Sequence, residues 1–177
     1  MNKLQLRQHF LDSRKQITKE RQQQAALYLF NCLKKISYKY THVFSFMSFK
    51  SEIDLSQLNE FLLKENKLYL PAIADHQMEF YKASSFENLE RSPFGFLSPA
   101  ADKASFQKPN STTLILVPGI AFDVYGHRLG YGKGHYDEFF SKAADSKKIA
   151  VAYHEQLCFS KIPYESHDKE LDGALFF

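Results

Sequence analysis

Tryptophan is absent from the 177 residues, and cysteine occurs only twice, at Cys32 and Cys158. Two cysteines are too few for a disulfide framework, and no zinc-ligand spacing is present. Cys32 falls in an apolar helical pattern and reads as a small buried hydrophobe. No apolar run approaches the roughly 18 residues of a membrane span, and the start, MNKLQLRQHF, lacks the apolar core of a signal peptide. Neither sign of charge dominates: 23 basic and 20 acidic residues leave a net charge of +3, too balanced to point to nucleic acid. Repeats, low-complexity tracts and linkers are missing. The expectation is a cytoplasmic monomer without nucleic-acid or membrane partners, forming a single domain over residues 1–177.

What the chain does have is phenylalanine and tyrosine, 17 and 10 of them. Most must be core, but such a chain can also line a pocket for a flat heterocycle. Residues 1–12 read as a short helix, on which Lys3 and Arg7, four apart, share one face. On spacing alone that face is a solvated basic one. Thr18 can cap a second helix reaching about Lys35, with Ala26, Leu29, Phe30 and Leu33 as its buried stripe. A strand is expected from Val43 to Phe49, then a turn into a helix carrying Leu55, Leu58 and Leu62. Glu52 at that turn suits the first turn of a helix, where the macrodipole favours a carboxylate. Lys67 to Ile73, ending near Pro71, reads as a strand, and Met78 to Lys82 as another that pairs with it or with a neighbour. Ile149 to Tyr153 and Gly173 to Phe177 complete the set. Strands alternating with helices predict an α/β fold with a mostly parallel, doubly wound sheet, whose ligands bind at the carboxyl ends of strands.

The most informative stretch is Leu114 to Phe140, LILVPGIAFDVYGHRLGYGKGHYDEFF. Leu114 to Val117 reads as a buried strand stopped by Pro118-Gly119. Gly130, Gly132 and Gly134 then alternate before a helix expected to start at His135. Glycines let a backbone approach a ligand closely, and helix N-termini attract anions. The spacing matches neither the Walker A loop, since Lys133 precedes Gly134 rather than Ser or Thr, nor the G-x-G-x-x-G dinucleotide fingerprint. Glycines alone leave an ordinary Gly-rich turn open. Arg128 and Lys133 around the loop, with Asp137 one turn on, favour phosphate and metal.

These residues, PGIAFDVYGHRLGYGKGHYDEFF, resemble the signature of the 5-formyltetrahydrofolate cyclo-ligase family, close to PGxAFDxxGxRLGxGxGYYDxFL, with His135 in place of the usual Tyr. His154-Glu155-Gln156 and His167-Asp168-x-x-Leu171-Asp172 resemble further family segments. Phe94-Gly95-Phe96-Leu97-Ser98-Pro99 is similar to another, with Ser98 where many members have Glu. The resemblance implies a three-layer α/β/α sandwich and an ATP- and Mg²⁺-dependent conversion of 5-formyltetrahydrofolate to 5,10-methenyltetrahydrofolate. It implies that Lys3, Arg7, Arg128, Leu129, Gly130, Tyr131, Gly132, Lys133, Gly134, His135 and Tyr136 bind ATP, with Arg128, Lys133 and Tyr136 catalytic. Met47 and Glu52 are implied to contact the folate, and Asp137 and Asp172 to hold Mg²⁺. Arg14 matches a further arginine of the family, read as structural. Two alternatives stand beside this reading: a non-catalytic folate- or nucleotide-binding relative, and a sugar-phosphate isomerase or CoA-transferase-like enzyme on a related fold.

Overall fold

A computed structural model describes residues 1–74, 77–93, 95–165 and 168–177. Phe94 and His167, noted above in motifs, lie outside the described residues. The chain opens with α1 (Lys3–Lys15) and α2 (Lys19–Ser37). Asn2 and Gln5 cap α1 reciprocally, and the Thr18 hydroxyl caps α2 by accepting from Arg21 N at 3.2 Å. There follow β1 (His42–Phe44), α3 (Ser56–Lys64), β2 (Leu68–Ala74) and β3 (Gln77–Lys82). A two-stranded ribbon, β4 (Glu90–Arg91) and β5 (Leu97–Ser98), precedes β6 (Thr113–Val117). Then come β7 (Ala121–Asp123), β8 (Arg128–Leu129), α4 (His135–Ser141), β9 (Lys147–Ala152), β10 (Leu157–Cys158) and β11 (Gly173–Phe176).

The main sheet has six strands in the order β11-β9-β6-β1-β2-β3. All neighbours pair in parallel except the β2–β3 hairpin. Alternation along the strands sorts the core into two faces. Val43, Leu68, Leu70, Leu114, Leu116 and Val151 pack under Leu29 and Leu33 of α2 and Leu58 and Leu62 of α3. Phe44, Tyr69, Ile115, Val117, Ala150 and Ala152 pack under Phe139 and Phe140 of α4. Helices on both faces make the expected three-layer α/β/α sandwich. On the α4 side Phe44 stacks on Phe80 at 4.5 Å between centroids, and Phe139 sits 5.0 Å from Phe80. All five positions of β6 are buried, as a central parallel strand requires.

Three expectations change. The strand expected over Val43–Phe49 stops at Phe44. The next residues turn away, because Asn59 of α3, buried, accepts from Ser45 Oγ at 2.6 Å and donates to Phe46 O at 2.9 Å. Strand β2 runs through Pro71 instead of ending there. Tyr69 O still accepts from Ser45 N at 2.9 Å; two residues on, on that same side, β1 has already left, so a residue without an N–H forfeits no partner. Cys32 is only half-buried, and it is Cys158 that lies in a core, beside Leu6, Phe10, Ile120 and Leu129.

The topology fixes where a ligand can sit. From β1 the chain moves to β2 on one side, then returns to place β6 on the other. The two connections part at the carboxyl ends of β1 and β6, which opens a crevice there.

Candidate active site

A cavity of about 610 Å³ occupies that crevice, within the usual range of small-molecule sites. Its walls come from the segment after β1 (Phe46, Met47, Phe49, Glu52), the end of β2 (Pro71, Ile73), Pro118 after β6, the glycine loop and the first turn of α4. Its lining includes apolar and aromatic side chains, Phe46, Met47, Phe49, Met78 and Phe96, and the cations Lys3, Arg7, Lys50, Arg128 and Lys133. Of the residues expected at the site, all but Asp172 line this cavity.

The glycine loop does not follow β6 directly. A small sheet, ordered β10-β7-β8, intervenes and delivers Arg128 and Leu129 to the cavity rim. Gly132 has φ +87° and Gly134 φ +74°, a region where a side chain is strained. A Cβ on Gly132 would also stand 3.4 Å from Arg7 Nη2. Arg7 Nε donates to Gly130 O at 2.9 Å, so the basic face of α1 is turned onto the loop and not to solvent. Lys3 donates to Glu165 at 2.6 Å and Asp168 at 2.9 Å. Burial works against its charge, but these two carboxylates outweigh it and hold its pKa above the usual lysine value.

Arg128 Nη2 pairs with Asp137 Oδ2 at 2.9 Å, and its guanidinium lies 5.2 Å from the Tyr136 ring centre. Arg128 Nε and the Tyr136 hydroxyl are buried without a hydrogen-bond partner among the described residues, which is unusual for polar atoms in a folded chain. Burial raises the Tyr136 pKa well above the ordinary tyrosine value, so the hydroxyl keeps its proton and remains a donor.

Glu52 is not in a helix. It closes a turn in which Lys50 takes φ +55°, four residues before α3 begins. Its Oε2 accepts from Phe49 N at 3.0 Å and its Oε1 from the Tyr131 hydroxyl at 2.9 Å. Burial pushes its pKa up against these bonds and the nearby Arg14 charge. Met47 also lines the cavity, with its sulfur 3.7 Å from Asn59 Nδ2.

The pairing of Asp137 with Asp172 is not realised. Asp172 is exposed, and its Oδ2 accepts from Lys148 N at 2.7 Å while Oδ1 lies 3.6 Å from Lys147 Nζ. Lys147 is in register with Leu114, at the amino end of β6, whereas the cavity lies past the carboxyl end at Pro118. Four residues of strand separate those edges by roughly 13 Å. The acidic residue of that motif that does reach the cavity is Asp168, and the next residue, Lys169, donates its backbone N–H to Asp137 Oδ1 at 3.4 Å. Sequence reasoning also missed Glu165, Phe46, Phe49 and Phe96 in the wall, and the contacts of Arg14. The quoted motifs contained Asp168 and Phe96, so a signal for both was present; Phe46 and Phe49 were expected on a strand, and Glu165 came from a segment with no local pattern. His154 stacks on Phe176 and does not line the cavity.

Carboxylate oxygens are the ligands that Mg²⁺ takes, and it commonly uses only one or two from a protein, with water and phosphate supplying the rest. Asp137 and Asp168 suit that, whereas no group of three or more His, Cys, Asp or Glu able to hold a metal occurs among the described residues. A dedicated protein cage is thus not what these residues make.

Comparison with known proteins agrees with this picture. A family model described as the 5-formyltetrahydrofolate cyclo-ligase family matches residues 1–176. A probable 5-formyltetrahydrofolate cyclo-ligase of Caenorhabditis elegans is 37% identical over 101 residues, covering 52% of this chain and 48% of that protein. The corresponding probable enzyme of Schizosaccharomyces pombe is 31% identical over 71% of this chain and 69% of its own. The matched segment thus spans about half of the nematode relative and somewhat over two thirds of the yeast one. The structure of Aquifex aeolicus 5,10-methenyltetrahydrofolate synthetase superposes with a TM-score of 0.84 at 30% identity, covering 98% of this chain and 89% of that one. That of a Mycoplasma pneumoniae 5,10-methenyltetrahydrofolate synthetase, at 21% identity, shares the fold with a TM-score of 0.74 over 98% of both chains. With a family match running from Met1 to the last strand, and the glycine loop, Glu52 and the basic face of α1 gathered in one cavity, the chain belongs to the 5-formyltetrahydrofolate cyclo-ligase family.

Proposed function

We propose that this chain, as one domain, converts 5-formyltetrahydrofolate and ATP to 5,10-methenyltetrahydrofolate, ADP and phosphate. The observation that carries the reading is one cavity whose lining combines aromatic side chains and an oriented carboxylate, Glu52, with the cations around the glycine loop. A flat pterin suits the first and a triphosphate the second.

The N5-formyl group is an amide, and its oxygen is a poor leaving group. In the first step that oxygen attacks the γ-phosphorus and the bond to ADP breaks, leaving an imidate phosphate. N10 then attacks the formyl carbon, the C–O bond breaks, phosphate departs with the oxygen, and N10 releases its proton. Phosphoryl transfer depends mostly on positioning and charge stabilisation. Arg7 and Lys3 from α1, with Arg128, Lys133 and the loop amides, would bind the phosphates. Within that group Arg128 and Lys133 would meet the charge on the transferring phosphoryl. Tyr136, protonated and buried, would donate to an oxygen at the reacting centre. Leu129, Gly130, Tyr131, Gly132, Gly134 and His135 would form the floor under the nucleotide. Met47 and Glu52 would hold the pterin, Glu52 accepting from its N–H groups. Mg²⁺ would be held by Asp137, with Asp168 in place of Asp172, and would screen the triphosphate.

The test follows methenyl absorbance and ADP release together. The reading predicts that both need ATP and Mg²⁺ and appear in equal amounts. Methenyl formation without nucleotide would remove the ligase assignment, and tight binding without turnover would favour the non-catalytic relative.

A further inference from the structure

Arg14 is 2% exposed, an unusual place for a guanidinium, and among the described residues it makes no direct ion pair. It donates instead to Ser51 Oγ at 2.9 Å, to Gly119 O at 3.3 Å and to the Tyr131 hydroxyl at 2.9 Å. It thereby touches the turn that carries Glu52, the turn after β6 and the glycine loop. A guanidinium can only donate, so the Tyr131 oxygen must accept from it. The one phenolic proton is left to point at Glu52 Oε1, 2.9 Å away. The other carboxylate oxygen accepts from Phe49 N. Every bond in the chain has one possible direction, and Glu52 receives only donors, which favour its ionised form against the burial that raises its pKa. The ring of Tyr131 is half-exposed and rises from the loop between Gly130 and Gly132, while Arg7 ties the same loop to α1 through Gly130 O.

We propose that Arg14, Tyr131 and Glu52 form a clasp that couples the glycine loop to the Glu52 turn, so that nucleotide and folate bind cooperatively, with Tyr131 as the positioning residue. This rests on the function proposed above and adds a property of the site. A nucleotide seated on the loop fixes Tyr131. The hydroxyl then fixes Glu52 in the orientation that an N–H donor on the pterin requires. Arg14 is the fixed end of the clasp, because its other two bonds go to elements outside the loop. A ligand shifts a conformational balance only through contacts that differ between the two states; here the Tyr131–Glu52 bond joins the loop to the Glu52 turn, so a ligand that orders either one favours the arrangement the other ligand needs. The effect must be reciprocal: folate on Glu52 strengthens nucleotide binding by the same factor.

The experiment measures, by calorimetry, the Kd of 5-formyltetrahydrofolate without and with a saturating, non-hydrolysable ATP analogue and Mg²⁺. The wild-type ratio of the two is expected to be about tenfold, in the ordinary range for coupled sites. In Tyr131→Phe, which removes only the hydroxyl from a half-exposed ring, the ratio should fall to about one, whatever happens to each separate affinity. Glu52→Asp, which withdraws the carboxylate by one methylene, should lose the ratio in the same way. A purely structural role for Tyr131 would change affinities or melting temperature and leave the ratio intact. A wild-type ratio near one, or an unchanged ratio in both variants, overturns the clasp while leaving the functional reading standing. Failure of the wild-type protein to bind either ligand overturns the functional reading and the clasp with it.

Discussion

At the scale of single residues, the carboxylates near the cavity are set to different tasks by what surrounds them. Glu52 is faced by Arg14 from α1, the Tyr131 hydroxyl from the loop and Tyr136 from α4, and burial still holds its pKa above the usual carboxylate value. A folate donor needs the ionised form. Folate affinity should therefore fall, as pH is lowered, sooner than titration of an ordinary glutamate near ~4.3 would predict. Binding titrations across the mildly acidic range should show this limb in the wild type. In Glu52→Gln the limb should be absent and folate binding weak, with nucleotide binding nearly intact. An unshifted limb in the variant would assign the titration elsewhere. Asp168 and Asp172, four apart in sequence, should separate cleanly. Asp168→Asn should raise the Mg²⁺ and ATP needed for turnover, whereas Asp172→Asn should leave both near wild type. Asp172→Ala, which removes the acceptor for Lys148 N, should cost about 1 kcal/mol of stability. Thermal denaturation and Mg²⁺ titrations of these variants check the assignment, and a raised Mg²⁺ requirement in Asp172→Asn, with Asp168→Asn near wild type, would restore the original pairing.

At the scale of elements, much was legible from periodicity and caps. The Thr18 cap, the buried β6 run and the start of α4 at His135 follow from local rules, because each is decided by neighbours in sequence; of the expected α2 stripe, Leu29 and Leu33 are buried, while Ala25 rather than Ala26 is the buried alanine and Phe30 is only partly buried. The errors arose where a distant residue decides. The length of β1 is set by Asn59, which captures Ser45 Oγ and Phe46 O from a helix 14 and 13 residues away. Pro71 is tolerated because its neighbour strand has gone. The glycine loop shows the same division. Its flexibility is visible in the sequence, but that residue 132 takes φ +87° beside the Arg7 guanidinium is known only from the fold. Gly132→Ala should cost about 1–2 kcal/mol of loop order through that positive φ, and the displaced loop would loosen its bond to Arg7. We expect a raised KM for ATP with a much smaller change in KM for folate. Equal changes in both would mean that the loop does not serve the nucleotide preferentially.

At the scale of the whole molecule, the doubly wound order predicts a crevice where the chain reverses beside β1, and the cavity is there. That much follows from alternation of strands and helices. The end of the sheet to which each acidic residue goes does not follow. Asp168 and Asp172 share a motif, but the chain between them descends from the cavity edge to the start of β9, and only the folded path reveals it. The aromatic surplus also finds its place only in three dimensions: Phe44, Phe80 and Phe139 stack in the core, while Phe46, Phe49 and Phe96 line the cavity.

The central claim is that this cavity aligns the formyl oxygen with the γ-phosphoryl group of ATP. The direct measurement is the fate of that oxygen. With 5-formyltetrahydrofolate labelled by oxygen-18 in the formyl group, the released phosphate is analysed by mass spectrometry after turnover in ordinary water. The account predicts that the label appears in inorganic phosphate, one atom per methenyl product, since the oxygen leaves still bound to phosphorus. Unlabelled phosphate, with the heavy oxygen found in water, would contradict it.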